Sequence, residues 1–212
     1  MAIIETLTLG PLQTNSYLVI CPRTRRTVVI DPGVEAEQIV ARWRTLGEPP
    51  LDAILATHGH FDHVVGVPML KRATGAPFWM SQGEWELWAQ YAHEHPVYLG
   101  LPASEPLPMP DRFLKEGDTF EVGDLRFEVL ALKGHAPDHI GFLLHTEPLH
   151  LFCGDSIFAG SVGRTDIPYA DFETLRLHLH TRVLSLPDET LLLPGHGPST
   201  TVGIERQTNP YL

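Results

Sequence analysis

The sequence predicts a layered α/β protein built from two halves, each a set of short strands followed by a helix. Three observations carry that prediction. Strand-like runs separated by turn residues open the chain, a buried run at 53–56 passes straight into a histidine-rich turn and then a helix, and the same order returns less regularly after residue 119. The 212 residues allow one large domain or two small ones, and 43% apolar content suffices for a sizeable core without staples.

Runs at 3–9, 16–20 and 27–30 are separated by Gly, Pro, Asn and Arg, which predicts three antiparallel neighbours. Asp31-Pro32-Gly33 ends the third, and Ile39, Val40, Trp43 and Leu46 recur at helical spacing over 35–46. After the strand at 53–56 and the turn Thr57-His58-Gly59-His60-Phe61-Asp62-His63, residues 64–73 read as a helix and 77–80 as another strand. The turn thus sits at a strand's C-terminal end, where α/β layers place their chemistry. In the second half, strands are expected at 119–122, 125–132, 140–145 and 150–153, a helix at 172–184, and a last strand at 190–193 running into Pro194-Gly195-His196-Gly197-Pro198. Between the halves, 82–111 joins a helix-like 85–92 to a stretch with Pro96, Pro102, Pro106, Pro108 and Pro110. Its aromatics, Trp85, Trp88, Tyr91 and Tyr98, fit either a lid over a site or anchors onto the layers.

Composition narrows the function. The formal net charge of -11 argues against a phosphate-tracking nucleic-acid surface, which needs clustered Lys and Arg. Cys21 and Cys153 stand far apart with no CxxC spacing, as expected in a reducing compartment and not of a disulfide framework or a thiolate metal site. The N-terminus lacks a basic region ahead of an apolar run, and no stretch has the length of a membrane span, so the expected location is cytoplasmic. The anomaly is twelve histidines.

Three of them fall in His58-Gly59-His60-Phe61-Asp62-His63, the spacing H-x-H-x-D-H. Neutral imidazole and carboxylate suit zinc, iron or manganese. A strand-to-helix turn projects His58 and His60 to one side and Asp62 and His63 to the other, so one short segment can serve two neighbouring metals. The bland alternative is a polar helix start with Asp62 near an N-cap. Further ligands have to come from elsewhere, and His135, Asp155 and His196 each follow a glycine at a predicted strand end. Alone, each reads as a turn residue; with the first motif they read as a ligand set.

With these motifs the sequence resembles the metallo-β-lactamase superfamily, and within it the short glyoxalase II-like hydrolases. The likeness spans almost the whole chain. It also takes in Thr14-Asn15-Ser16-Tyr17-Leu18-Val19, Asp31-Pro32-Gly33, Gly163-Arg164-Thr165-Asp166, the 194–198 loop and the ending Glu205-Arg206-Gln207-Thr208-Asn209-Pro210. The fold it implies is an αββα sandwich, two mixed β-sheets face to face with helices outside, formed by one domain over 1–212 with no separate C-terminal helical domain and with 82–111 as a lid or loop insertion.

Carried over, the resemblance gives His58, His60 and His135 to one metal and Asp62, His63 and His196 to the other, with Asp155 bridging. Zinc is the first expectation for both ions, with iron or manganese also suited. A metal-bridging hydroxide would attack an ester-like carbonyl, with Asp62 and Asp155 as the catalytic carboxylates. A thiolate leaving group needs little protonation, so the implied substrate is a small anionic acyl-thiol such as S-lactoylglutathione. Two divalent ions and a hydroxide would bring the net charge to about -8 and make the site locally positive.

Departures from the family pattern leave some positions open. The loop after His135 reads Ala136-Pro137-Asp138-His139, where Asp138 stands in place of a glycine; it is expected to tolerate a positive φ and to add negative charge near the pocket. His139 is expected beside a ligand or in the core and not as a ligand itself. Asp31 either orients a metal-bound histidine or caps the next turn. Arg164 and Tyr98 are the candidate substrate contacts, although Arg164 also fits a pair with Asp166. A mononuclear iron persulfide dioxygenase is the nearest rival, since those proteins resemble this one at 163–166 and at Asn209-Pro210, whereas the glycine-rich 194–198 loop looks more like the hydrolase branch. A non-catalytic metal-binding scaffold is the rival from another class.

Overall fold

A computed structural model of the chain describes residues 1–212. β1 (Ile3–Leu9), β2 (Thr14–Ile20) and β3 (Thr27–Ile30) pair antiparallel, as the opening runs predicted. α1 (Ala36–Thr45) then crosses over to β4 (Leu51–Leu55), and α2 (Phe61–Val64) with α3 (Val67–Thr74) to β5 (Phe78–Met80), each new strand adding parallel. After α4 (Gln82–Leu87) and a 3₁₀ helix over Ala89–Leu99, β6 (Arg112–Phe113) completes a six-stranded mixed sheet in the order β1 to β6.

The second six-stranded sheet begins as a meander of β7 (Thr119–Val122), β8 (Leu125–Ala131), β9 (Ile140–Leu144) and β10 (His150–Gly154). A small hairpin follows, β11 (Ile157–Phe158) with β12 (Ser161–Val162), and then α5 (Phe172–His178), which continues into a π-helical turn over Leu179–Val183. β13 (Leu191–Pro194) returns parallel to β10, β14 (Thr200–Thr201) closes the edge, and α6 (Val202–Thr208) follows.

Strand alternation explains the layers. In β2, Tyr17 and Val19 face the second sheet, where they meet Phe127, Phe142 and Phe152, while Leu18 faces outward onto Ile39, Val40 and Trp43 of α1. In the second sheet Leu143, Leu151 and Leu192 face outward onto Leu175, Leu179 and Val183. Because both faces are covered, every residue of β2 and β3 is buried, including Thr and Ser. The result is helix, sheet, sheet, helix. No helix is long and apolar enough to cross a membrane.

The structure departs locally from the sequence expectations. The helix expected over 64–73 is two, α2 and α3, with Pro68 in the first turn of α3, where its missing N–H costs nothing. The helix expected over 85–92 begins earlier and turns 3₁₀ at Ala89, and α6, which short length and weak periodicity hid, is capped by Thr201 accepting the Ile204 N–H at 3.2 Å. Segment 82–111 sends Ala89, Ala92 and Leu107 into the outer core of the first sheet. Asp138 is not at a positive φ, and its charge is met by the Lys133 ammonium at 2.8 Å, so it leaves no free negative charge at the pocket.

Candidate metal centre

The ends of β3, β4, β8, β10 and β13 and the start of β2 lie along one edge of the sandwich, and the ligand candidates sit there, Asp62 and His63 in α2 and the others in the segments that follow β4, β8, β10 and β13. β2 reaches across to the far sheet at this edge. Thr14 bridges to His196, the Asn15 N–H donates to the Gly195 carbonyl at 2.7 Å, and the Tyr17 hydroxyl donates to the Pro194 carbonyl at 2.6 Å. A cavity of about 1240 Å³, lined by Cys21, Asp124, His145 and Thr190 among others, opens at the opposite edge, where β2 ends and β10 and β13 begin.

Two donor groups converge. In one, His60 Nδ1 lies 3.0 Å from His58 Nε2 and 3.1 Å from His135 Nε2. In the other, Asp62 Oδ2 lies 3.5 Å from His63 Nε2 and 3.3 Å from His196 Nε2. Asp155 stands between them: Oδ1 is 3.4 Å from His63 Nε2, and Oδ2 is 3.4 Å from His196 Nε2 and 3.7 Å from His135 Nε2. All seven residues singled out as ligands in the sequence therefore meet at one place, with ligand atoms grouped within 4.8 Å.

The second nitrogen of four histidines is already engaged, which fixes the tautomer. The Nδ1 of His135 faces the Arg164 carbonyl at 2.9 Å, that of His196 the Leu12 carbonyl at 3.0 Å, and that of His63 the Asp31 carboxylate at 3.1 Å; each must carry the proton there. The Thr57 hydroxyl donates to Asp31 Oδ2 at 2.8 Å and so accepts from His58 Nδ1 at 3.0 Å. In the neutral ring, each of these Nε2 atoms keeps a lone pair aimed at the centre. Asp62 accepts the Thr14 hydroxyl at 2.7 Å, which orients its carboxylate.

Charge follows the same division. Burial drives His58 and His135 below the ordinary imidazole range and takes His60, with His135 beside it, down to about 3, so this triad is neutral and ready to ligate. Burial also opposes a charged His196, but the Asp155 and Asp62 carboxylates raise it to about 10, and His63 is raised against burial by Asp62, Asp155 and Asp31. Those protons occupy places a cation would take. His63 Nε2 and Asp155 Oδ1 are buried without a hydrogen-bond partner, an expensive arrangement unless an ion satisfies them. The donor set fits a pair of divalent metals.

Around the ligands, His139 is buried, stacks on His58 with centroids 4.8 Å apart, and accepts the Asp155 N–H on Nε2 at 3.2 Å. The Arg164 guanidinium is held by Asp166 at 2.7 Å and 3.0 Å. Tyr98 is 85% exposed, its ring 5.9 Å from His95. The aromatic rings set against the ligands are instead Trp88, 5.3 Å from His60 and 6.0 Å from Tyr169, and Phe158, 6.1 Å from His196. Sequence reasoning missed Tyr169, Thr57 and Glu84. Only Thr57, flanking the motif, carried a signal; Tyr169, at a positive φ of 66°, touches Trp88 and not a ligand.

A family model described as the Metallo-beta-lactamase superfamily matches residues 9–196. The chain belongs to that superfamily. Among superfamily relatives it is similar to the hydroxyacylglutathione hydrolase GloC of Haemophilus influenzae, 38% identical over 99% of this chain and 97% of that one. Among solved structures it is similar to TTHA1623, described in a di-iron-bound form, with 43% identity, a TM-score of 0.85 and coverage of 98% and 100%. The B3 metallo-beta-lactamase BLEG-1 superposes with a TM-score of 0.86 at 31% identity, covering 99% of each chain. With its complete His/Asp cluster, the chain is a metallo-hydrolase of this superfamily.

Proposed function

We propose that the chain hydrolyses a thioester, S-lactoylglutathione or a related acyl-thiol, at a two-metal site. The observation that carries this reading is Asp155, whose two oxygens face His63 at 3.4 Å and His135 at 3.7 Å and so reach both donor groups. Identity of 38% to a hydroxyacylglutathione hydrolase over nearly full length supports the substrate class. Zinc is the proposed occupant. Imidazole and carboxylate suit iron as well, and the di-iron form of TTHA1623 makes iron the first alternative.

When bound, the two cations supply an acidified water and polarise the substrate carbonyl. The protein's own contribution is orientation. His58, His60 and His135 would hold one ion and Asp62, His63 and His196 the other, with Asp155 within reach of both groups. Thr14 and Asp31 lock Asp62 and His63 so that little reorganisation accompanies the reaction. A thiolate departs without a protonating side chain, so no general acid is assigned. Trp88 and Tyr169 wall the approach to His60, and Arg164 meets the anionic end of the substrate once its guanidinium leaves Asp166. Two free, buried cysteines support a reducing, cytoplasmic setting.

The test combines elemental analysis of the purified protein with a thioester panel and an oxygen electrode. Thiol release from S-lactoylglutathione with about two metals per chain is the expected result. Oxygen consumption with glutathione persulfide in place of thioester cleavage would replace this reading by the iron dioxygenase, and metal loading without any turnover by the scaffold.

A further inference from the structure

Glu84 lies in α4, at the start of the segment that joins the two halves, yet its side chain is fully buried. Its Oε2 accepts the Gly59 N–H at 2.9 Å and its Oε1 the Asp138 N–H at 2.8 Å. Gly59 separates His58 from His60, and Asp138 follows His135 by three residues in the loop that also carries His139. One carboxylate thus joins the two loops that carry the first donor group.

The joint is tight on both sides. A Cβ at Gly59 would come within 2.7 Å of Trp88 Cβ and 2.8 Å of the Glu84 carbonyl, so the turn rests directly on α4. On the other side, the Ser81 hydroxyl donates to the Asp138 carbonyl at 2.7 Å, and the Gly83 N–H donates to Asp138 Oδ2 at 3.0 Å. Burying a carboxylate away from a direct cation partner is costly, and both of its oxygens here are spent on backbone N–H groups of ligand loops. Helix anchoring alone would not require that choice of partners. The second donor group is held by other residues: Thr14 on Asp62, Asp31 on His63, and the Leu12 carbonyl on His196.

We propose that Glu84 is a positioning residue that sets the spacing between the His58/His60 turn and the His135 loop, and so tunes the first metal position and not the second. This rests on the two-metal reading of the site, and its test reads metal binding without substrate, so loss of the thioester assignment would leave it standing. Glu84→Gln keeps the volume but replaces one acceptor by an NH₂ group.

The experiment titrates cobalt(II) into metal-depleted protein against a chromophoric chelator and records the visible spectrum, with His135→Ala and His196→Ala marking which binding step belongs to which position. In Glu84→Gln the first-position affinity is expected to fall about 10- to 100-fold with an altered cobalt spectrum, the second staying within about twofold. Glu84→Asp, which keeps both acceptors, should recover part of the loss. Glu205 serves as a comparison: it is also a buried carboxylate, accepting the Gly160 N–H at 2.9 Å and the Thr200 hydroxyl at 2.6 Å, away from the first donor group. Glu205→Gln should lower Tm while leaving the first metal step in place. Equal weakening of both steps in Glu84→Gln, no weakening, or the same selective loss in Glu205→Gln would overturn the proposal. Should Glu84→Gln fail to fold, amide exchange on the metal-loaded wild type decides: protection of the Gly59 and Asp138 N–H groups comparable to that of β4 supports the joint, and rapid exchange overturns it.

Discussion

Asp31 accepts the Nδ1–H of His63 at 3.1 Å, and the same carboxylate takes the Thr57 N–H at 2.7 Å and the Thr57 hydroxyl at 2.8 Å. Through Thr57 it also orients His58, whose Nδ1 is 3.0 Å from that hydroxyl. One residue therefore steers a ligand in each donor group. Asp31→Asn should weaken both metal positions by about 10- to 100-fold, read by chelator competition. Loss at one position alone would mean that the Thr57 relay to His58 carries no force.

Asp155→Ala removes the only carboxylate that reaches both groups. Turnover of the thioester should disappear, and the two metal-binding steps should become independent of each other, measured by titration of metal-depleted protein. Surviving activity would show that the spacing of the two positions does not depend on Asp155.

Gly195 has no room for a side chain. A Cβ there would lie 2.1 Å from Asp155 Oδ1 and 2.6 Å from His63 Cε1. Gly195→Ala should keep its far-ultraviolet circular dichroism but bind metal poorly, because the displaced groups are ligands and not core. A full metal complement would show that the 194–198 loop yields easily.

The difference between what could and could not be read in the sequence has a physical basis. Metal ligands announce themselves because the chemistry restricts residue type and a single turn supplies four of them, from His58 to His63. The first strands were equally plain: β1 to β3 are strand-like runs bounded by turn residues, and their pairing is local. Residues acting through backbone groups were not readable. Glu84 looks like an ordinary surface helix residue until the fold lays α4 against Gly59, and the role of Arg164 toward His135 belongs to its carbonyl, which every residue has. Asp138 in place of a glycine suggested a positive φ and added negative charge near the pocket, yet its φ is not positive and its carboxylate meets Lys133 and the Gly83 N–H.

The layers themselves can be tested at Phe142, a fully buried ring in the core between the sheets, near Phe120. Phe142→Ala should cost about 3–5 kcal/mol in denaturant unfolding, since facing sheets cannot collapse into the space left behind. A loss below about 1 kcal/mol would indicate a loosely packed interlayer.

At the opposite edge, burial works against ionisation of Cys21, but the Thr24 hydroxyl and the backbone N–H groups of Asp124, Thr24 and Arg23 outweigh it and bring the thiol down to about 7. Burial pushes Cys153 well up. A depressed thiol stabilises the fold above the ordinary thiol range, and that contribution is lost as pH falls through about 7. Thiolate ultraviolet absorbance should rise with a midpoint near about 7 in the wild type and be missing from Cys21→Ser. A midpoint in the ordinary range of about 8.5 would show that those donors do not act on the sulfur.

The contact between Thr14 and His196 joins positions 182 residues apart, and the Asn15 side chain adds hydrogen bonds to the Pro194 and Gly197 carbonyls at 3.0 Å and 2.8 Å. During synthesis, β2 leaves the ribosome early and waits for nearly the whole remaining chain before that seam can close. The second metal position lacks His196 until then, whereas His58, His60 and His135 are already available. The two donor groups are thus completed in the order in which the chain is made, the one with His135 before the one with His196.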